Sequence, residues 1–205
     1  FQLDPEDKDN NFTTTDTSNT TINNYFETAH YLDQSIKEFF DYLKKSGLDK
    51  NTMDILYGDH YGVGSSDDEL SALAPVLGKD FNNWTSYDTA ELQKVPFMIH
   101  MDGIKGKVDN KISGEIDVLP TLLHLLGILN KNYIQFGQDL FSKQYRQVVV
   151  FRNGTIITPK YVIIGGKGTK GTVYNQQTGE KITKFNKKQK EEINKLASYG
   201  RTSLH

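Results

Sequence analysis

The hydrophobic positions in the first quarter of the chain repeat with a helical period. Apolar residues recur at three- and four-residue steps from Ile22 to Leu43, which predicts one long amphipathic helix with a single apolar face. Thr20 or Thr21 is placed to cap its start, and Gly47 is placed to end it. The predicted face consists of Ile22, Phe26, Ala29, Leu32, Ile36, Phe39 and Leu43.

Two short apolar runs follow, and turn residues bound each of them. Residues 53–57 and 95–101 are rich in β-branched, aromatic and other apolar side chains, so both are predicted to be buried strands. Between them, Asp67 is placed to cap a helix that Gly78 ends. Strands separated by helical segments are typical of an α/β sheet, so we expect these two strands to be neighbours and mostly parallel.

A leucine-rich segment at 117–127 carries clear helix signals. Asp117 is placed at the N-cap, Pro120 lies in the first turn, where its missing donor is harmless, and Gly127 is placed at the end. The predicted buried face consists of Leu119, Leu122, Leu123 and Leu126.

From about Tyr145 the pattern changes to short β-branched runs separated by turns. Asn153-Gly154 is a strong hairpin signal, and residues 177–179 indicate a second hairpin before a final helix at 186–199. This predicts a small antiparallel α+β subdomain at 145–205, after an α/β part at 1–144. The final helix carries a basic run that two glutamates interrupt, which favours a solvated face: Lys187, Lys188, Lys190, Glu191, Glu192 and Lys195.

Composition excludes several classes of protein. The formal net charge of -2 argues against a nucleic-acid partner, because neutralising phosphates requires a basic excess. The chain has no cysteine, which excludes disulfides and thiolate metal sites. No apolar run approaches the roughly 18 residues of a membrane span. The chain begins with Phe1, and its first methionine is Met53, so we expect a processed form or a fragment.

The most informative polar residues are Asp59 and His60, which follow the run at 53–57. In open α/β sheets, ligands bind at the carboxyl ends of the strands. A carboxylate oxygen beside a neutral imidazole nitrogen suits Mn²⁺ or Zn²⁺, although such a dipeptide alone is more often a solvated turn. Gly58 and Gly62 allow the chain to turn closely around the pair, and the flexible loop at 62–66 is placed either to approach a ligand or to act as a plain connection.

Other candidate ligands have structural interpretations. His30 and His124 lie on or near the apolar faces of predicted helices, so we expect them to be structural. The acidic loop with Asp7, Asp9 and Asp16 has a calcium-like composition, but no loop-closing glutamate follows at the required spacing. The aromatic residues at 81, 84 and 87 are expected to belong to a loop packed on the body rather than to a groove.

Four motifs together resemble a known family. These are Tyr-Gly-Asp-His-Tyr-Gly at 57–62, Val-Pro-Phe-Met-Ile-His-Met at 95–101, Gly-Glu-Ile-Asp-Val-Leu-Pro-Thr-Leu-Leu-His-Leu-Leu-Gly-Ile at 114–128 and Tyr-Ile-Gln-Phe-Gly-Gln-Asp-Leu at 133–140. They resemble the extracellular domain of lipoteichoic acid synthases, within the wider sulfatase and alkaline phosphatase superfamily. The resemblance implies a sulfatase-like α/β fold, a mixed sheet flanked by helices, of which this chain contains the C-terminal part.

The resemblance also implies a chemistry. That family transfers glycerol phosphate from phosphatidylglycerol to a growing polymer at the outer membrane face of Gram-positive bacteria. A threonine nucleophile forms a covalent intermediate, and Mn²⁺ is held by a glutamate, that threonine and the Asp-His pair. By resemblance, Asp59 and His60 are metal ligands, with Mg²⁺ or Zn²⁺ as alternatives to Mn²⁺. The resemblance also implies that Gly64 and Ser65 border the substrate pocket, although it supports this assignment less strongly than that of the metal ligands.

The remaining functional residues of the family do not match this chain. The glutamate, the nucleophilic threonine and the substrate-binding arginine and histidines lie upstream of the matching motifs. The threonines at 13–15 and at 20–21 lie in a polar run without a strand-to-helix turn, so none of them matches the nucleophile. We therefore expect a chain that is inactive alone, completed by an N-terminal half and a membrane anchor that it lacks.

Two other interpretations stay open. Within the enzyme class, a sulfatase, a phosphoethanolamine transferase or a phosphodiesterase fits the same superfamily marks. In a different class, the chain belongs to a cell-surface binding module that kept the fold without the chemistry. The identity of the nucleophile separates the enzymes, and retained metal binding separates an enzyme from a binding module.

Overall fold

The computed structural model describes residues 2–13, 16–129 and 135–203, and these form two compact units, Phe1–Lys107 and Val108–His205. Thr14, Thr15, Tyr133 and Ile134, which the sequence interpretation mentions, lie outside the described residues. The predicted subdomain boundary between residues 144 and 145 falls within the second unit and stays a prediction.

The described residues of the first unit form three α-helices and a two-stranded sheet, besides short 3-10 turns. In chain order these are α1 (Thr20–Ser46), β1 (Met53–Tyr57), α2 (Asp67–Val76), α3 (Ser86–Glu91) and β2 (Phe97–Met101). Its core is small: Ile22 of α1 packs with Ala72 and Leu73 of α2, and Phe26, Val63 and Leu92 lie against them.

The predicted strands exist and are neighbours, but the prediction that they are parallel is wrong. β1 and β2 pair antiparallel, with Met53 opposite Met101 and Tyr57 opposite Phe97. The intervening chain leaves β1 and enters β2 at the same edge, and this return requires antiparallel strands. The predicted burial is also incorrect, because Tyr57, Met98 and Met101 are exposed.

The residues that cap the starts of α1 and α2 differ from the sequence prediction. The Asn19 side chain, rather than Thr20 or Thr21, accepts the Ile22 N–H at the start of α1. Ser66, rather than Asp67, caps α2 through a capping box with Glu69. Gly47 ends α1 with a left-handed φ of 75°, as predicted. Of the predicted α1 face, only Ile22 and Leu43 are buried, and Ala29, Leu32 and Phe39 are exposed.

The second unit contains a four-stranded antiparallel sheet between two helices in the sequence. Its elements are α4 (Val118–Leu125), β3 (Val149–Val150), β4 (Ile156–Ile157), β5 (Tyr161–Ile164), β6 (Thr172–Asn175) and α5 (Lys187–Ser203), and the strands lie in the order of the sequence. The predicted antiparallel character is confirmed. After the second predicted hairpin turn at 177–179, the returning segment contributes one isolated bridge, between Lys181 and Tyr174.

The core of the second unit lies between the sheet and α5. Ile156, Ile163 and Val173 of the sheet pack against Ile193 and Ala197 of α5. The leucine face predicted for α4 is not buried, since Leu119 and Leu126 are each 58% exposed. None of the helices in the described ranges combines the length and the hydropathy needed to cross a bilayer.

Candidate metal centre

The candidate metal ligands lie where the chain leaves β1. The Gly58 N–H donates to the Pro96 carbonyl at 3.0 Å, which extends the pairing with the β2 side by one residue beyond Tyr57. A Cβ atom at position 58 would lie 2.8 Å from the Val95 Cβ, so this close approach requires glycine. The chain therefore turns directly after Gly58, and Asp59 is the first side chain beyond the edge of the sheet.

The donor atoms of Asp59 and His60 lie close together and face solvent. The Asp59 Oδ1 is 3.6 Å from the His60 Nε2, and the two side chains are 83% and 76% exposed. The His60 Nδ1 lies 2.8 Å from the Tyr61 carbonyl oxygen. Because a carbonyl only accepts, Nδ1 must carry the proton, which leaves the lone pair of neutral His60 on Nε2, beside the carboxylate.

This geometry fits a shared divalent ion. Two ligand atoms each about 2.1 Å from one tetrahedral ion are separated by about 3.4 Å, close to the observed 3.6 Å. The donor set, one carboxylate oxygen and one imidazole nitrogen, suits Mn²⁺ and Zn²⁺. Among the described residues, no group of three or more potential ligands comes together. Asp59 and His60 therefore offer only two of the ligands that a complete coordination shell needs, and their assignment as ligands stays a prediction.

His100, the nearest further candidate in the sequence, does not join this pair. His100 lies opposite Asp54, near the far end of the sheet. Asp54 is five residues before Asp59, which corresponds to roughly 16 Å along a strand. Its ring instead packs edge-on against Phe40 of α1, with centroids 4.9 Å apart. The strand register and this ring contact therefore place His100 away from the Asp59–His60 pair, which the sequence alone did not show.

The loop after His60 is held by contacts that the sequence did not reveal. A Cβ at Gly62 would lie 2.3 Å from the Tyr25 hydroxyl oxygen, and a Cβ at Gly64 would lie 2.3 Å from a Glu69 carboxylate oxygen. Both glycines thus make room for a side chain of a neighbouring helix. Gly64 lies beside the capping box of α2, and Ser65 is exposed. Their role as substrate-binding residues stays a prediction.

Two other histidines pair with carboxylates at positions that sequence patterns did not join. His30 Nε2 lies 3.0 Å from Asp9 Oδ2, and its ring stacks on Phe12 with centroids 3.9 Å apart. His124 Nδ1 lies 2.6 Å from Asp139 Oδ2. Each histidine ties a loop to a helix, a structural role in keeping with the sequence interpretation. The Asn11 backbone N–H and then His30 lower the pKa of Asp9.

Asp117 has a role that its helix-cap position did not indicate. Its side chain makes no capping bond to α4. It is 4% exposed and accepts hydrogen bonds from the Gly114 N–H at 3.1 Å, the Gln138 N–H at 2.7 Å and the Tyr145 hydroxyl at 2.9 Å. Burial, followed by this carboxylate, raises the pKa of Tyr145. The residue thus connects three segments of the second unit.

Comparison with known proteins identifies the family of the chain. Residues 2–128 match the sulfatase family. The chain is 45% identical over 182 residues to lipoteichoic acid synthase 2 of Bacillus subtilis (strain 168) and 43% identical over 182 residues to lipoteichoic acid synthase 1 of the same organism. It is 40% identical over 183 residues to the lipoteichoic acid synthase of Staphylococcus aureus (strain USA300).

These matches cover 89% of the chain but only 27% of the length of the Bacillus relatives and 26% of the Staphylococcus relative. The match to the family extends over more than half of the chain and includes β1, the Asp59–His60 turn and α4. The mixed α/β structure agrees with part of such a domain. The chain therefore belongs to the sulfatase family.

Proposed function

We propose that this chain is the C-terminal portion of a metal-dependent glycerophosphotransferase that builds lipoteichoic acid from phosphatidylglycerol. The observation that carries the proposal is the Asp59–His60 pair, whose donor atoms lie 3.6 Å apart at the end of β1, in a chain of the sulfatase family. Relatives that are 40 to 45% identical to the chain over 89% of its length are named lipoteichoic acid synthases. Enzymes of the sulfatase superfamily depend on metals, and Mn²⁺ is the metal we propose, with Mg²⁺ and Zn²⁺ as alternatives.

The residues of this chain contribute binding and orientation. Asp59 supplies an anionic ligand, and the Tyr61 carbonyl keeps His60 in the tautomer that directs Nε2 toward the same position. A divalent ion bound there would lower the pKa of a nucleophilic hydroxyl and neutralise charge on the phosphoryl oxygens. In this proposal, the nucleophilic threonine and the further metal ligands belong to residues outside this chain, and Gly64 and Ser65 border the glycerol pocket.

The proposed partners and location follow from the proposed reaction. The substrate is a membrane phospholipid and the product is a glycerol phosphate polymer, so the enzyme works at the extracellular face of a Gram-positive cell membrane or as a secreted form. The proposal also includes an N-terminal half of the catalytic domain and a membrane anchor supplied by other residues of the longer protein. Two alternatives are a different reaction of the superfamily and a surface module without catalytic activity. The following test distinguishes both from the proposed function.

The test is the substitution Asp59→Ala in the longer protein. We expect the rate of glycerol phosphate transfer from phosphatidylglycerol to fall by roughly 100-fold or more, because a metal ligand is lost while the fold is kept. The measurement is the release of diacylglycerol by the purified variant at ordinary Mn²⁺ concentration.

The matched control is Asp102→Ala, which removes an exposed carboxylate just after β2 and should leave the rate unchanged. Unchanged turnover by Asp59→Ala would exclude the proposed role of the pair. A parent protein that binds Mn²⁺ but transfers no glycerol phosphate would favour the alternatives.

A further inference from the structure

The charge of the chain is divided unevenly along its length. Residues 145–205 carry 12 Lys and Arg side chains and 3 Asp and Glu side chains, whereas residues 1–144 carry 12 and 23. The formal charges are therefore +9 and -11, which together give the net charge of -2. The near-neutral total conceals a strongly basic C-terminal part, and a local excess of this size points to an anionic partner.

Most of these cations are not used inside the fold. In the described chain beyond residue 145, Lys160 pairs with Glu192 at 2.9 Å, and no other lysine there makes an ion pair. The unpaired lysines are exposed. Since an exposed lysine that makes no ion pair adds little to stability and repels its like-charged neighbours, this arrangement is not explained by folding.

Two of the lysines, Lys184 and Lys190, line one shallow groove, which we call the basic groove. It is lined by Thr169, Thr183, Lys184, Phe185 and Lys190. A tight contact builds its wall: the Thr169 N–H and hydroxyl both donate to the Asn194 Oδ1, at 3.1 and 3.2 Å. Lys190 lies one helical turn before Asn194, on the same face of α5.

Close approach of the short helical turn Gly168–Lys170 to α5 requires a glycine. A Cβ at Gly168 would lie 2.4 Å from the Asn194 Oδ1. Gly168 also has a left-handed φ of 58°. The turn places Lys167 and Lys170 on either side of Thr169, both exposed. The groove is therefore a defined surface with further cations beside it.

The lysines of α5 lie where they oppose helix stability. The first turn of α5 contains no acidic residue, and it begins with Lys187 and Lys188. Asn186 and Gln189 cap the helix with a neutral pair, since each side chain accepts the backbone N–H of the other residue at 3.0 Å or less. Positive charge near a helix start is unfavourable because of the helix dipole. Residues that break a local rule without compensation are expected at functional sites.

We propose that the basic groove binds a soluble chain of repeating phosphodiesters, and this rests on the proposed function, in which such a chain is the product. Lysine is a compact charge on a flexible stem, which suits successive diester groups better than a bidentate grip on one terminal phosphate. A membrane surface fits less well, because interfacial binders insert apolar side chains. Among the described side chains from 145 to 200, Tyr199 is the only exposed large hydrophobic one.

The test is a titration of the 205-residue chain with a fluorescent synthetic glycerol phosphate oligomer at low salt. The double variant Lys184→Glu/Lys190→Glu should bind at least about tenfold more weakly, and the dependence of log affinity on log salt should become shallower by about one to two. The neutral variant Lys184→Gln/Lys190→Gln should show a smaller loss in the same direction. Matching thermal unfolding curves establish that each variant is folded.

The control is Lys105→Glu/Lys107→Glu, which makes the same change in net charge at two exposed lysines of the first unit and should change affinity less than twofold. Equal weakening in this control, or no binding by the unmodified chain, would overturn the proposal. Tighter binding to phosphatidylglycerol vesicles than to the oligomer, lost in the same variant, would assign the groove to a membrane instead. Because the titration involves no catalysis, its failure is separate from that of the Asp59→Ala assay.

Discussion

At the scale of single residues, the second unit depends on one buried carboxylate. Asp117 joins the nearby turn at Gly114 to the backbone of Gln138 and the hydroxyl of Tyr145, which lie 21 and 28 residues away in the sequence. Thr121, also fully buried, extends the network by accepting the Leu140 N–H at 3.1 Å. This part of the family-like segment therefore acts as a structural connection, while the proposed metal ligands are Asp59 and His60.

Asp117→Ala should lower the free energy of unfolding by about 2 to 4 kcal/mol, because the substitution leaves buried N–H donors without an acceptor. Tyr145→Phe should cost less, about 1 kcal/mol, since it removes one hydroxyl and leaves the carboxylate with its backbone donors. Urea unfolding of the 205-residue chain measures both. Asp102→Ala serves again as the exposed control, with a change below about 0.5 kcal/mol. Equal effects at Asp117 and Asp102 would contradict this account.

Asp88 provides a pH-dependent contribution to stability. Its burial raises the pKa, but hydrogen bonds from Lys79 and from the hydroxyl and N–H of Thr85 outweigh that effect and lower the pKa below 3.8. A depressed pKa means that the contribution is present above pH 3.8 and is lost as the pH falls through the folded-state value.

Lys79→Gln should therefore raise the Asp88 pKa and reduce the loss of stability on acidification. Carboxyl NMR titration of the two proteins measures the first effect, and unfolding between neutral and acidic pH measures the second. An Asp88 pKa that does not respond to the substitution would show that Lys79 has no part in the shift.

At the scale of elements, the exit from β1 depends on a glycine. Gly58→Ala should destabilise the first unit by about 1 to 3 kcal/mol, because the new Cβ would meet the Val95 side chain at 2.8 Å and force the two strands apart. Chemical unfolding measures the loss. The matched control is Gly106→Ala, where a Cβ meets nothing within 4 Å. That variant should be neutral or slightly stabilised, through loss of unfolded-state entropy. Equal destabilisation in both variants would contradict a steric requirement at Gly58.

The pairing of β1 and β2 shows where element patterns stop being informative. The apolar runs identify both strands, since strand composition and flanking turns are local properties. Strand direction depends instead on the edge at which the intervening chain returns, and the sequence between the strands shows helices without showing that edge. The carboxyl end of β1 consequently adjoins Val95 and Pro96, just before β2 begins, rather than the end of a parallel neighbour.

At the scale of the whole molecule, the number of metal ligands sets the expected affinity. The 205-residue chain should bind Mn²⁺ weakly, because Asp59 and His60 supply two ligands and competent sites use three or more. It should also release no diacylglycerol from phosphatidylglycerol analogues. Calorimetric titration with Mn²⁺ measures the affinity. A stoichiometric site tighter than about micromolar, roughly 8 kcal/mol of binding free energy, would mean that this chain contains further ligands.

The sequence by itself determined the local features: the spans of α1 and β1, the left-handed stop at Gly47, the antiparallel C-terminal part and the candidate pair Asp59 and His60. The hydrophobic period, the residues of a turn and the identity of adjacent residues are all local properties of the chain, so the sequence shows them without knowledge of the fold. Only the tertiary structure decided the strand direction, the partners of Asp117, the facing of His100, the lysines gathered at the basic groove and the exposure of Leu119 and Leu126. These depend on contacts between distant segments, and an apolar periodicity shows which face a helix can bury without showing what covers it.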